Sequence, residues 1–215
     1  MRFLPTRNNA RREFGQLANE YDLVYFGTVD PRIDTDYKMV KGLTASPNAR
    51  DENYTTGDVY DYEVALLQRS KQVKVLSGEK QIRRWTILQV QLKKARTPHF
   101  LVDGRRRTEE YGALLASTER WHEISWQHIA HDANFPRVFA TYAKPLDVAT
   151  ISTIITQEVQ TMLSTHFSEF DYEFEGDKLI VCATNADVDL QLLDHMLRIG
   201  LWLARYLDAI NASLV

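Results

Sequence analysis

The segment from Phe170 to Ala183 constrains this chain more than any other. Phe170, Tyr172 and Phe174 alternate with Asp171, Glu173 and Glu175; Gly176 and Asp177 follow, and Leu179 to Ala183 is a second apolar run. Period-two alternation, a Gly-containing dipeptide and a returning apolar run predict a β-hairpin. A hairpin commits its sheet to antiparallel pairing, because parallel neighbours need a long crossover. The acids between the aromatic residues read as the solvent-facing side of the first strand.

Helical patterns flank the hairpin. Upstream, Val148, Ile151, Ile155, Val159, Met162 and Leu163 recur at helical spacing within Leu146–His166. Thr156 followed by Gln157 and Glu158 reads as a cap that divides this run into two pieces. Downstream, residues 187–210 predict one helix with Leu193, Met196, Gly200, Leu203, Leu207 and Ile210 as its core stripe. Gln191, His195, Arg198 and Arg205 face outward. A glycine inside a helix costs about 1 kcal/mol relative to alanine. Gly200 in the stripe therefore predicts close approach of another backbone, such as a strand.

Two longer alternating runs, Val59–Gln68 and Ile82–Leu92, predict long antiparallel strands. Tyr60, Tyr62, Val64 and Leu66 share one face of the first; Thr86, Leu88, Val90 and Leu92 share one face of the second. Leu23–Val29, His99–Val102, Trp121–Trp126 and Val138–Tyr142 read as further strands. Asp103–Gly104 reads as a turn, Thr6–Tyr21 as a helix and Thr108–Ser117 as a helical turn or two. Residues 30–57 read as a long, mobile polar loop, pinned in part to the core by Met39, Val40 and Leu43. The expected architecture is a single α+β domain over residues 1–215. Its sheet is mainly antiparallel with helices packed on one face, and its C-terminal order is strand–helix–hairpin–helix.

Charge is sorted along the chain. Residues 69–107 hold twelve Lys or Arg against two acids, a net +10, while residues 145–215 hold three bases against eleven acids, a net −8. The total of −3 hides the split. A one-signed surface attracts a partner of the other sign. The candidate contact residues are Arg83, Arg84, Lys93, Lys94, Arg96, Arg105, Arg106 and Arg107, with Trp85 and Phe100 interleaved. Their expected partner is an anionic membrane surface or another protein, with nucleic acid as the alternative. The basic and acidic halves can instead neutralise each other, within one domain or between subunits of a homo-oligomer.

A second constellation carries metal-binding chemistry. His122, His128, His131 and Asp132, with Glu123, lie within eleven residues, and imidazole with carboxylate suits a divalent ion. A metal-dependent hydrolase is thus a further reading. Asp30, Asp34 and Asp36 lack the glycine and the twelfth-position glutamate of a calcium loop. There is no Gly-x-Ser-x-Gly elbow, phosphate loop or dinucleotide-binding turn. Cys182 reads as a small buried hydrophobe, and alone it forms no internal disulfide framework. No catalytic residue and no cofactor is expected. The N-terminus lacks the apolar run of a secretory signal, and no window reaches the roughly 18 apolar residues of a membrane span. The reading is a non-enzymatic interaction domain, cytoplasmic and able to sit on the inner face of a membrane.

A resemblance points the same way. Segments Asn134–Ala143, Ile151–Glu158 and Phe170–Val181 resemble an uncharacterised bacterial family, a domain of unknown function often carried behind transmembrane helices on the cytoplasmic side. Its members show a Phe-x-x-x-Phe-x-Val-Tyr-like strand, a Leu-Thr-Pro-Glu-like helix cap and a Phe-rich hairpin. Phe135 and Phe139 match the strand; Thr156 and Glu158 match the cap, with Gln157 in place of proline. The resemblance covers roughly the last 80 residues and implies no assigned activity.

Overall fold

Nine strands form one antiparallel sheet in the computed structural model, which describes residues 7–29, 37, 40–45, 48–74, 80–104, 121–126, 132–184 and 186–212. They are β1 Val24–Gly27, β2 Arg50–Val59, β3 Tyr62–Lys74, β4 Lys80–Gln91, β5 Thr97–Gly104, β6 His122–Glu123, β7 Phe139–Ala143, β8 Asp171–Gly176 and β9 Lys178–Thr184. Their order across the sheet is β1-β2-β3-β4-β9-β8-β5-β7-β6. The helices are α1 Arg7–Glu20, α2 Phe135–Val138, α3 Val148–Ile154, α4 Gln157–His166 and α5 Leu190–Ala212. The protein is therefore α+β.

The hairpin forms with the expected turn, Glu175 pairing with Lys178 across Gly176 and Asp177. The helical run before it breaks at Ile155 and Thr156. Thr156 has the extended backbone of an N-cap but makes no capping bond; its hydroxyl lies 2.6 Å from that of Tyr206 on α5. Asp189 caps α5 instead, accepting the Leu192 N–H at 2.7 Å. Gly200 lies against β4: a Cβ there would sit 2.6 Å from Leu88 Cδ2 and 3.2 Å from Val90 Cγ2. A strand does lie close to this glycine, but it meets it through β4 side chains and not through the backbone expected of it.

Both faces of the sheet are buried, by different means. The larger apolar cluster joins Leu66, Leu88, Val90, Phe100, Phe174 and Val181 to Phe14 and Leu17 of α1, Ile151 of α3, Leu163 of α4 and Met196 and Leu203 of α5. The smaller cluster, on the opposite face, holds Ala65, Leu67, Trp85, Ile87, Ile180 and Cys182 under Val29 and Val40, with Tyr37 packed against it. Among the described residues no helix contributes to this second cluster.

Several expectations need correction. The long loop ends before Arg50, since Arg50–Val59 is β2. Its strand signal is obscured by an irregularity between Glu52 and Thr55, by Asn53 at φ +58° and by inward polar groups such as Asp51. The alternation from Val59 runs through a turn: Tyr60 and Asp61, at φ +49° and +63°, join β2 to β3, and Tyr60 is 67% exposed. Asp103 and Gly104 do not turn but continue β5 against Ala140 and Phe139 of β7. The strand expected over Trp121–Trp126 contracts to two residues. Asp171 and Glu173 are buried: the Leu43 N–H of the 40–45 strap meets Glu173, and the Gly104 N–H and the Thr184 hydroxyl meet Asp171. The expected helical turn at Thr108–Ser117 lies outside the described residues.

Candidate functional site

The basic segment does not make one surface. Arg69 is 2% exposed and its Nη2 lies 2.7 Å from Asp51 Oδ2. Its other donors reach Val40 O at 2.7 Å and Thr44 Oγ1 at 3.1 Å. Burial alone would lower the Arg69 pKa, but the bond to Asp51 and the charges of Asp51, Tyr37 and Cys182 together outweigh it and the value is raised. Arg83 is half-buried opposite Lys71, and its Nη1 has no hydrogen-bond partner among the described residues. Arg84 is exposed on the other face. Lys93, Lys94 and Arg96 are exposed beyond the far end of β4. At about 3.3 Å per residue, β4 holds these two groups roughly 30 Å apart. Arg105, Arg106 and Arg107 lie outside the described residues.

The basic and acidic parts of the chain are neighbours in the sheet, since β4 pairs with β9 and β5 with β8. Arg96 Nη2 lies 3.9 Å from Asp177 Oδ2. A firmer junction is Asp208 of α5, 7% exposed. It accepts the backbone N–H groups of Lys93, Lys94 and Ala95 at 3.1, 2.8 and 2.7 Å, and the Tyr62 hydroxyl at 3.0 Å. Burial would raise its carboxyl, but these donors hold it below the usual carboxylate range. Burial and the bond to Asp208 push Tyr62 up to about 12.

This junction organises an exposed cationic and aromatic face. The Lys93 ammonium stands 4.5 Å from the Tyr62 ring centroid, and the Arg205 guanidinium 4.9 Å from that of Tyr60. Trp202 stacks on Tyr206 with centroids 5.4 Å apart. Tyr60, Trp202 and Arg205 line a shallow pocket of about 270 Å³ with Tyr21, Leu197 and Leu201. Tyr21 donates to Asp194 at 2.7 Å, and Asp194 also takes Arg198 Nε at 2.8 Å. Burial, then that bond, pushes Tyr21 up to about 12. Arg198 is thus tied to a carboxylate, whereas Arg205 has no ion pair among the described residues and stays available to a ligand. Arg205 reads in the sequence as an outward helix residue, but neither it nor Trp202 stands among the contact residues expected there, because both belong to the acidic third. An outward cation at helical spacing from a half-buried tryptophan was the available signal.

The expected histidine cluster is not assembled by the described residues. His122 is exposed on β6. Asp132 accepts the Asn134 N–H at 2.7 Å and the Ser164 hydroxyl at 3.3 Å. Against the upward pull of burial, bonds from Asn134, Thr161, Phe135 and Ser164 lower its pKa. That carboxylate anchors the chain entering α2. His128 and His131 lie outside the described residues. A different set converges: ligand atoms of His99, Glu173 and Glu175 all lie within 4.8 Å of one another. It went unseen because His99 lies on β5, far in sequence from the two acids of β8, and those acids looked solvated. Cys182 is buried, as expected of a small hydrophobe.

No family model matches the chain, and no curated protein matches it in sequence. Its fold is similar to that of the mycobacterial trehalose monomycolate transport factor A, with a TM-score of 0.57 over 95% of each chain at 13% identity. A likeness at that identity concerns the fold alone. Among the described residues no helix is long and apolar enough to cross a membrane.

Proposed function

We propose that this protein is a non-enzymatic interaction domain that docks on the anionic cytoplasmic face of a membrane, as an accessory factor to transport. The observation that carries this reading is the face built from Lys93, Lys94, Arg96 and Arg205 around Tyr60 and Trp202. Cations near an anionic leaflet contribute about 1 kcal/mol each, and Tyr and Trp favour the interfacial zone. Four such cations contribute at most roughly 4 kcal/mol, less what Asp177 offsets at Arg96, enough for reversible association and too little for anchoring. Asp61 on the same turn opposes them. The fold likeness to a transport factor supports the accessory role, as does the resemblance of the last 80 residues to a domain carried behind membrane helices.

Co-sedimentation tests the reading, with vesicles of phosphatidylcholine alone and of phosphatidylcholine mixed with phosphatidylglycerol. Binding is expected to the mixed vesicles at low salt, falling as salt screens the charges. Lys93→Glu with Lys94→Glu should abolish it. Equal binding to both vesicles removes the electrostatic basis. Retention of an RNA or DNA oligonucleotide in place of vesicles by the same residues would move the reading to nucleic acid.

A further inference from the structure

We propose that His99 and Glu175 ligate a divalent transition metal, zinc by preference, with Glu173 orienting the imidazole. The sheet places these residues by a β-bulge. Thr97 pairs with Gly176 and Phe100 with Phe174, so Pro98 and His99 together oppose Glu175 alone. Bulges re-aim side chains, and this one leaves His99 between two carboxylates of β8.

The two ring nitrogens meet different partners. Glu173 is 4% exposed and accepts the Leu43 N–H at 2.9 and 3.1 Å from its two oxygens. Its Oε1 lies 2.7 Å from His99 Nε2. A contact that short between a nitrogen and a carboxylate oxygen holds a proton, and an ionised carboxylate brings none, so Nε2 carries it. In the neutral imidazole Nδ1 is then a lone pair, and it faces Glu175 Oε1 at 3.9 Å. That separation is too long for a hydrogen bond. Two bonds of about 2.0 Å at a tetrahedral angle span roughly 3.3 Å, so the exposed Glu175 carboxylate needs to close by only about half an ångström to share an ion with Nδ1.

The surroundings suit such an ion. A buried carboxylate donating its charge through the far nitrogen is the usual support of a metal-bound histidine. The Trp121 ring packs edge-on to the imidazole, with centroids 4.6 Å apart, and restricts its rotation. His99 and Glu175 are 32% and 41% exposed, so an ion can enter and water can complete its coordination. Imidazole with carboxylate favours zinc over calcium or magnesium. Gly42 completes the cradle: at φ +94°, a Cβ there would meet Glu173 Oε2 at 2.8 Å. The competing arrangement is an imidazolium bridging two glutamates with no ion.

Calorimetric titration of zinc chloride into the metal-stripped protein separates the two. The wild type should bind one ion per chain, saturably. Glu175→Gln and His99→Gln should each weaken binding at least about tenfold, and Glu173→Gln by about 10- to 100-fold. Glu175 is half exposed near the hairpin turn, so Glu175→Gln is the decisive variant should His99→Gln fail to fold. In the wild type, the ¹⁵N resonance of His99 Nδ1, and not of Nε2, should shift with zinc. No saturable binding, an unshifted Nδ1, or undiminished binding by Glu175→Gln overturns the proposal; the last would place the ion on other histidines or on Cys182.

Discussion

On the helix-covered face of the sheet, Leu88, Phe100 and Phe174 pack against apolar side chains of α1, α3, α4 and α5. The opposite face buries Arg69, Asp51 and Glu173 around the 40–45 strap, beside Trp85 and Ile87, and Asp171 further along β8. The first face draws stability from area, which tolerates small changes of shape. The second depends on each buried charge keeping its partner, because a charge left alone in the interior is strongly destabilising. The strap is a short irregular segment held by polar bonds: Arg69 to Val40 O and Thr44, and Glu173 to the Leu43 N–H. The two faces should therefore respond differently to single substitutions.

The largest effect is expected at Arg69. Arg69→Met leaves Asp51 buried without its cation and should cost about 3–5 kcal/mol in urea denaturation. Ile199→Val, on the helix-covered face, should cost only about 1 kcal/mol. Arg69→Met combined with Asp51→Leu should recover part of the loss, since no buried charge is left unpaired, although the Tyr37 hydroxyl, the Val40 carbonyl and the Thr44 hydroxyl lose their partners. A double variant as unstable as the single one would show that the bonds to Val40 and Thr44, and not the ion pair, hold the strap. Equal costs for Arg69→Met and Ile199→Val would dissolve the contrast between the faces.

The contrast also explains what could be read from the chain alone. Apolar periodicity reports burial where apolar side chains do the filling, so β3, β4, the hairpin and α5 were legible. Gly200 was legible for a related reason, being a poor helix former inside a core stripe. Asp171 and Glu173 were not, because a buried acid and a wet acid look identical in an alternating strand. What buries Glu173 is a backbone N–H at Leu43, 130 residues away. Tyr60 and Asp61 hid a hairpin turn because neither is the Asn or Gly that such turns favour. The run of bases likewise concealed that β4 carries Arg83 and Arg84 to one end and Lys93 and Lys94 to the other.

Asp208 sharpens the comparison, as a buried acid on the rim of the helix-covered face. Asp208→Ala deprives three backbone N–H groups and the Tyr62 hydroxyl of their acceptor and should cost about 3 kcal/mol. Its carboxyl is held below its ordinary value, so its stabilising contribution is complete above the unfolded pKa of about 4 and is lost as pH falls through the lower folded value. Asp208→Asn cannot titrate, and its stability should fall less steeply with acid than that of the wild type. Parallel acid limbs for the two proteins would place the acid sensitivity elsewhere, Asp132 being the next candidate.

The smallest effect is expected at the β2–β3 turn, and it bears on function more than on stability. Both central residues have positive φ, as a type I′ turn requires, yet they are Tyr60 and Asp61. Asn and Gly accept these angles with less strain, so Tyr60→Asn with Asp61→Gly should stabilise the protein by about 1 kcal/mol. The double substitution also removes the aromatic ring beneath Arg205 and an acid that opposes the cationic face. Removing that acid alone would strengthen vesicle binding, so Asp61→Gly is the necessary companion measurement. If Tyr60 contributes to docking, the double variant should bind mixed vesicles more weakly than Asp61→Gly while being at least as stable. A chain that gains stability and loses nothing in binding would leave Tyr60 as an unexplained strain, and would confine the contact face to Lys93, Lys94, Arg96 and Arg205.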